Sequence, residues 1–227
     1  MGKPKLEKFA ELNTFPNVFH NFKHEDPELV NCHKQSVDLR SRWKSYFENN
    51  NPLVLELACG RGDYTVEMAK LYPDKNYIGI DIKGNRIWTG AKFALDNHLD
   101  NVAFIRSRIE YIDHFFGRNE VGEIWITFTD PFPRKGDEKR RLSHRRFLEK
   151  YAAIGKSGGT LHFKTDNKDL FEFSIEEAEA MNYEILQVLR DIYSLENLDP
   201  VLKIQTHYEK KHLKAGRKIY YFKFKFP

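Results

Sequence analysis

Val54-Leu55-Glu56-Leu57-Ala58-Cys59-Gly60-Arg61-Gly62-Asp63-Tyr64 decides the fold. An apolar run ends in a glycine turn, and a helical pattern begins at once. Twenty-five residues after Glu56 stands a second acid, Asp81, closing the apolar run Tyr77-Ile78-Gly79-Ile80. A strand, a glycine turn, a helix and a strand ending in an acid make a nucleotide-binding βαβ unit. Gly60 and Gly62 let backbone approach a ligand closely, and Asp81 can accept both hydroxyls of a ribose.

The turn also selects among nucleotides. The third glycine of G-x-G-x-x-G is missing, and Thr65 stands in its place. A dinucleotide site needs backbone amides at a helix N-terminus to receive a pyrophosphate. Glu56, ahead of the turn, would repel that group and would suit the positively charged methionine portion of S-adenosylmethionine. The pattern therefore favours S-adenosylmethionine over NAD. The plainer reading of Glu56 is a carboxylate that holds a turn amide. Cys59 sits inside the turn and reads as a packing residue rather than a nucleophile.

Outward from the turn, strands and helices alternate. The strand patterns are Leu53–Leu57, Asn76–Ile82, Val102–Arg106, Glu123–Phe128, Thr160–Lys164, Tyr183–Arg190 and Ile219–Phe226. Helical patterns cover Asp63–Leu71, Asn85–Asn97, Arg145–Ala153 behind a Ser143 N-cap, and Asn167–Met181. A short helix is expected over Ile109–Phe116 and a longer one over Lys34–Asn49. The expectation is an α/β fold with a mostly parallel seven-stranded sheet and helices on both faces. Residues 1–33, with Pro4, Pro16 and Pro27, read as an extended, partly disordered N-terminal arm. Residues 34–227 read as one domain.

Composition narrows the function classes. No run of eighteen apolar residues exists, so no membrane span is expected, and the N-terminus lacks the apolar segment of a secretion signal. Cys32 and Cys59 are far apart without C-x-x-C spacing, which fits a reducing cytoplasm and neither a disulfide framework nor a zinc site. No H-E-x-x-H pattern occurs among the nine histidines, and no metal is assigned. Net charge is +4 but uneven. Arg134–Arg146 holds seven Lys/Arg against two acids, and Lys203–Lys225 holds eight against Glu209 alone. Two basic clusters beside a nucleotide fold point to a polyanionic partner.

Two further stretches narrow the acceptor. One is Phe128-Thr129-Asp130-Pro131-Phe132-Pro133-Arg134-Lys135, followed by Lys139-Arg140-Arg141; the other is Gly158-Gly159-Thr160-Leu161-His162-Phe163-Lys164-Thr165-Asp166-Asn167. With Glu56, Asp81 and the T-x-x-E segment Thr206-His207-Tyr208-Glu209, they make the chain from Leu53 onward resemble the bacterial tRNA (guanine-N7-)-methyltransferases. The resemblance implies the Rossmann-like fold of class I S-adenosylmethionine-dependent methyltransferases, acting on tRNA; the chain's size is compatible with a monomer or homodimer. The implied acceptor is the variable-loop guanosine at position 46. It places Glu56, Asp81 and Asp130 at the cofactor, with Asp130 also the catalytic acid; the glycine turn adds Gly60 and Gly62, and Arg108 is expected there in place of the family's acid. The resemblance places Arg134, Asp166, Thr206, His207, Tyr208 and Glu209 at the target nucleotide.

Three departures stand out. Arg108-Ile109 replaces the family's acid after strand three, so Arg108 is expected to stack on adenine, with Ser107 or a backbone amide as alternatives. Thr129 and Phe132 replace proline and tryptophan, and Gly136-Asp137 replaces a basic pair. Arg134 replaces a lysine and adds a planar fork. Two other readings stay open: a methyltransferase with another acceptor, either an RNA base or a small molecule, and a non-catalytic RNA-binding protein on this scaffold.

Overall fold

The computed structural model describes residues 3–227. Its strands are β1 (Val18–His20), β2 (Leu29–Val30), β3 (Ser36–Val37), β4 (Leu53–Leu57), β5 (Asn76–Asp81), β6 (Val102–Arg106), β7 (Val121–Thr127), β8 (Gly155–Thr165), β9 (Glu184–Leu189) and β10 (Tyr220–Lys225). The helices are α1 (Lys5–Leu12), α2 (Trp43–Tyr46), α3 (Asp63–Leu71), α4 (Gly84–Asp96), α5 (Ile112–Phe115), α6 (Arg145–Ile154), α7 (Lys168–Ala180) and α8 (His207–Lys214).

One sheet runs through the molecule in the order β3-β2-β1-β6-β5-β4-β7-β8-β10-β9. The seven expected strands form its body, β4 to β8 in parallel and β10 antiparallel between β8 and β9. The sheet has ten strands rather than seven because the N-terminal arm joins it. β1 pairs in parallel with β6, with Val18 opposite Phe104, and covers an edge that would otherwise present open backbone groups. α1 packs against α4. The arm is therefore an integral layer from Lys5 onward; Met1 and Gly2 lie outside the described residues.

The two-residue period of the strands divides the core. Leu53, Leu55 and Leu57 face one apolar cluster, shared with α6 and α7, while Val54 faces a second, shared with α3 and α4. Glu56 points to the same side as Val54, so a carboxylate is built into the second layer. The helix expected over Lys34–Asn49 is reduced to the turn of α2, because Ser36–Val37 is taken by the sheet and Ser41 has φ +62°. Ser143 is not the cap of α6: its buried hydroxyl bonds the Ser174 hydroxyl at 2.6 Å, and the His144 ring accepts the Arg146 N–H instead.

α4 crosses the glycine turn at close range. A Cβ on Gly90 would lie 2.7 Å from the Arg61 carbonyl oxygen and 2.9 Å from the Phe104 ring. Alanine at a helix interior gains about 1 kcal/mol of propensity, but overpacking against backbone costs about 1–3 kcal/mol. Gly90→Ala is expected to destabilise the protein, seen as a lower denaturant midpoint at unchanged slope.

Candidate active site at the carboxyl edge of the sheet

β5 and β6 lie to one side of β4, β7 and β8 to the other, so the loops after β4 and β7 part and leave a crevice. The turn after β4 is wound tightly. Ala58, Gly60 and Gly62 have φ of +55°, +56° and +73°. Phe128 and Phe132, after β7, are also left-handed at +52° and +41°. Non-glycine residues held there cost on the order of 1–3 kcal/mol, and here they flank one opening.

The crevice has two connected parts. The first, about 470 Å³, is walled by Glu56, Gly60, Asp81, Asp130, Asp166 and Tyr208 among others. The second, about 770 Å³, is walled by Ser107, Arg108, Ile109, Glu110, Phe132 and Arg140. Ala58, Asp81, Ile82, Thr129 and Asp130 border both.

Asp81 is fixed by two backbone amides. Its Oδ2 accepts the Gly60 N–H at 2.9 Å and its Oδ1 the Lys83 N–H at 2.7 Å. Glu56 is 2% exposed. It accepts the Thr65 N–H at 2.8 Å, the Thr65 hydroxyl, and the Thr127 hydroxyl at 3.1 Å. It thus does hold a turn amide, and it also reaches the cavity wall. Burial pushes its carboxyl up to about 7 against the three hydrogen bonds. Burial likewise raises the Cys59 thiol, which keeps it protonated and inert.

Asp130 is exposed, and its side chain has no hydrogen bond or ion pair among the described residues. Asp166 lies across the first cavity. Its Oδ2 takes Arg217 at 2.6 Å and His212 at 3.2 Å. Thr206 caps α8 by accepting the Glu209 N–H at 3.1 Å. His207 and Tyr208 follow on the cavity wall, with Arg86 over the Tyr208 ring at 5.8 Å.

Three of the expected site residues stand away from the first cavity. Glu209 is not on the cavity wall; it is fully buried behind it, paired with Lys164 at 2.8 Å, because helix α8 turns this side chain toward the sheet. Arg134 is exposed on the loop after β7 but borders neither cavity. Arg108 borders only the second cavity, where it leans on Glu110 at 3.7 Å, and the Ser107 hydroxyl is turned to the Arg108 carbonyl at 3.2 Å. Arg141, grouped by sequence with the surface cations, is buried. Its guanidinium donates to the Pro131 and Phe132 carbonyls at 2.9 and 3.1 Å and so holds the loop that carries Asp130.

Several wall residues had no signal in the sequence. Thr127 meets Glu56 only because β7 lies beside β4. Arg217 reaches Asp166 across 51 residues of chain. Ile82 is 56% exposed although apolar, and Ile109 stands across the same cavity. The buried Thr129 hydroxyl, on the shared border, has no partner among the described residues. This set fits S-adenosylmethionine: a fixed carboxylate for a ribose, apolar faces for a purine, an acid for a cationic methionine end, and a hydroxyl lacking a partner.

Fold and crevice together define a class I methyltransferase that uses S-adenosylmethionine. A family described as putative methyltransferase matches residues 50–222. A tRNA (guanine-N(7)-)-methyltransferase of Christiangramia forsetii is 44% identical over 226 residues, covering 99% of this chain and 98% of that protein. One from Bacteroides fragilis is 42% identical, covering 100% of this chain and 87% of that protein. The chain belongs to the tRNA (guanine-N7-)-methyltransferase family. The crystal structure of the 16S rRNA methyltransferase KamB shares the fold, with a TM-score of 0.64 at 13% identity over 85% of this chain and 96% of that one.

The raised Glu56 carboxyl links stability to pH. The native state holds this proton between pH 4.5 and about 7 while the unfolded chain has released it, so stability falls as pH rises through that window and levels off above it. The contribution is at most about 3 kcal/mol. Chemical denaturation of ligand-free protein across that window is expected to show the fall, and Glu56→Gln to flatten it.

Proposed function

We propose that the crevice presents S-adenosylmethionine to N7 of the variable-loop guanosine at position 46 of tRNA, in the cytoplasm. The observation that carries this reading is Asp130 and Asp166 on one cavity beside Asp81 and the glycine turn. No helix among the described residues is long and apolar enough to cross a membrane.

The bound cofactor supplies an electrophilic methyl on a sulfonium. N7 of guanine carries a free lone pair at neutral pH, so the protein needs no general base. Its work is alignment, holding nucleophile and methyl in line at about 3 Å. Asp81 takes the ribose hydroxyls, and Ile82 and Ile109 enclose the purine. Glu56, ionised beside a cationic ligand, faces the methionine end. Arg108 lies on the purine side, in place of the acid usual at that position.

The methylated base is a cation. Asp130, exposed and unpaired, stabilises the charge as it develops on the ring. Asp166 reads the base: its Oδ1 has no partner among the described residues, and together with Oδ2 it can accept N1–H and N2–H of guanine. Adenine offers an acceptor at N1 and would leave that carboxylate unpaired. With Glu209 buried, Asp166 takes this task alone.

A guanine in folded tRNA reaches such a pocket by leaving its stack. Tyr208 and Phe132, both on the crevice rim, offer faces to the extruded base. Lys135, Lys139, Arg140 and Arg146 follow phosphates. Arg134 contributes from the same loop at longer range. Arg145 is committed to Glu177 at 2.9 Å and adds less.

Incubation with labelled cofactor and unmodified tRNA, followed by digestion to nucleosides, is expected to yield 7-methylguanosine; folded protein giving none would sink the reading. Asp130→Asn is expected to lower turnover more than tenfold, at least about 1.4 kcal/mol of barrier, while cofactor affinity changes far less. Equal losses in both would make Asp130 a cofactor ligand only.

A further inference from the structure

Behind the cavity wall, and outside the chemistry derived above, lies a fully buried ion pair. Lys164 on β8 and Glu209 on α8 are both 0% exposed. The ammonium spends all its donors on one neighbouring segment. It donates to the Leu202 carbonyl at 2.9 Å, the Ile204 carbonyl at 3.0 Å and Glu209 Oε2 at 2.9 Å. Glu209 Oε1 also accepts the Tyr193 hydroxyl at 2.8 Å, and that hydroxyl accepts the Gln205 amide at 3.1 Å. The Tyr64 hydroxyl donates to the Val201 carbonyl at 2.6 Å. The rings of Tyr64 and Phe128 stand 5.3 and 6.0 Å from the ammonium.

Residues 201–205 have no strand partner, so these bonds supply what a sheet ladder would otherwise supply. The next residues, Thr206, His207 and Tyr208, form one wall of the crevice. Lys164 meets the opposite wall as well: its own carbonyl accepts the Phe128 N–H at 2.9 Å, two residues before Asp130, and Asp166 follows it on the chain by two. One residue therefore links three loops, its side chain holding residues 202–209 and its main chain holding the loops of Phe128 and Asp166.

We propose that Lys164 is a positioning residue for methyl transfer, and that Glu209 of the T-x-x-E segment acts through it rather than on the nucleotide. The pair fixes the Thr206–Tyr208 wall against Asp130 and Asp166 without touching either reactant. This rests on the reading that the wall faces the acceptor base. Burial moves each partner toward its neutral form, lysine downward and glutamate upward, and their mutual attraction opposes that drift. Removing one partner therefore leaves a buried charge uncompensated.

The test is a double-mutant cycle on the full chain, K164M, E209Q and K164M/E209Q, with saturating cofactor. Single-turnover methylation of tRNA gives the rate, and hydrogen exchange at residues 202–209 reports the mooring. Each single variant is expected to lose at least tenfold in rate and to exchange faster at those amides. The double variant is expected to lose no more than about threefold beyond the worse single, since both act through one contact. The KM for tRNA is expected to stay within threefold, because phosphate contacts lie elsewhere. Should K164M fail to fold, E209Q, which keeps the size and shape of the side chain, decides alone. A lost rate in E209Q with unchanged exchange would overturn the proposal and make Glu209 a direct contact. A K164M variant with wild-type rate and exchange would overturn it outright. Faster exchange at full rate also overturns it, by showing that the mooring exists but the wall does not serve the acceptor.

Discussion

The geometry of the active-site crevice depends on one buried carboxylate. Glu56 joins three elements at a single point, its own strand β4, the first turn of α3 through Thr65, and β7 through Thr127. The Thr65 amide that it accepts is one of the donors a helix leaves open at its start. The glycine turn lies between Glu56 and Thr65, so closing that bond sets the curvature of the turn. The turn in turn presents the Gly60 amide to Asp81. Both acids of the nucleotide site are thus held by main-chain amides before any ligand arrives, which is the preorganisation that makes binding and alignment inexpensive in entropy.

A second group of contacts governs the acceptor side, and it is built from cations turned inward. Arg141 grips the Pro131 and Phe132 carbonyls, and Lys164 grips those of Leu202 and Ile204. In each case a long side chain satisfies carbonyls on a segment outside the strands and α-helices. Backbone groups on such segments still require partners. Arg141, which the charge count groups with the RNA-facing cluster, is instead part of the frame, as is Lys164.

Much of this was legible in the sequence, and the boundary between legible and illegible has a physical basis. Strand period, the glycine turn and the terminal acids are local patterns, and they led directly to β4, α3, β5 and the parallel order. Glu56, Asp81, Asp130, Asp166 and Thr206–Tyr208 converge on one crevice because the fold sends the end of every parallel strand to the same edge. Orientation was not legible. Nothing in T-x-x-E says that Thr206 faces the helix start while Glu209 faces a lysine 45 residues earlier. The strand within the N-terminal arm is illegible for a similar reason: three residues of strand carry too little period to register, and β1 exists because β6 offers it an edge.

That last pairing has a consequence for how the protein is made. Val18 is synthesised early, and its partner Phe104 follows 86 residues later. At ~5–20 residues per second the wait is roughly 4 to 17 s, long compared with the formation of a hairpin. Within that interval the arm can form only its local antiparallel contacts with β2 and β3. Its attachment to the parallel sheet is necessarily a late event, since β6 must first be placed beside β5. A segment made before the parallel sheet is thereby fixed after it, on the β6 side of that sheet.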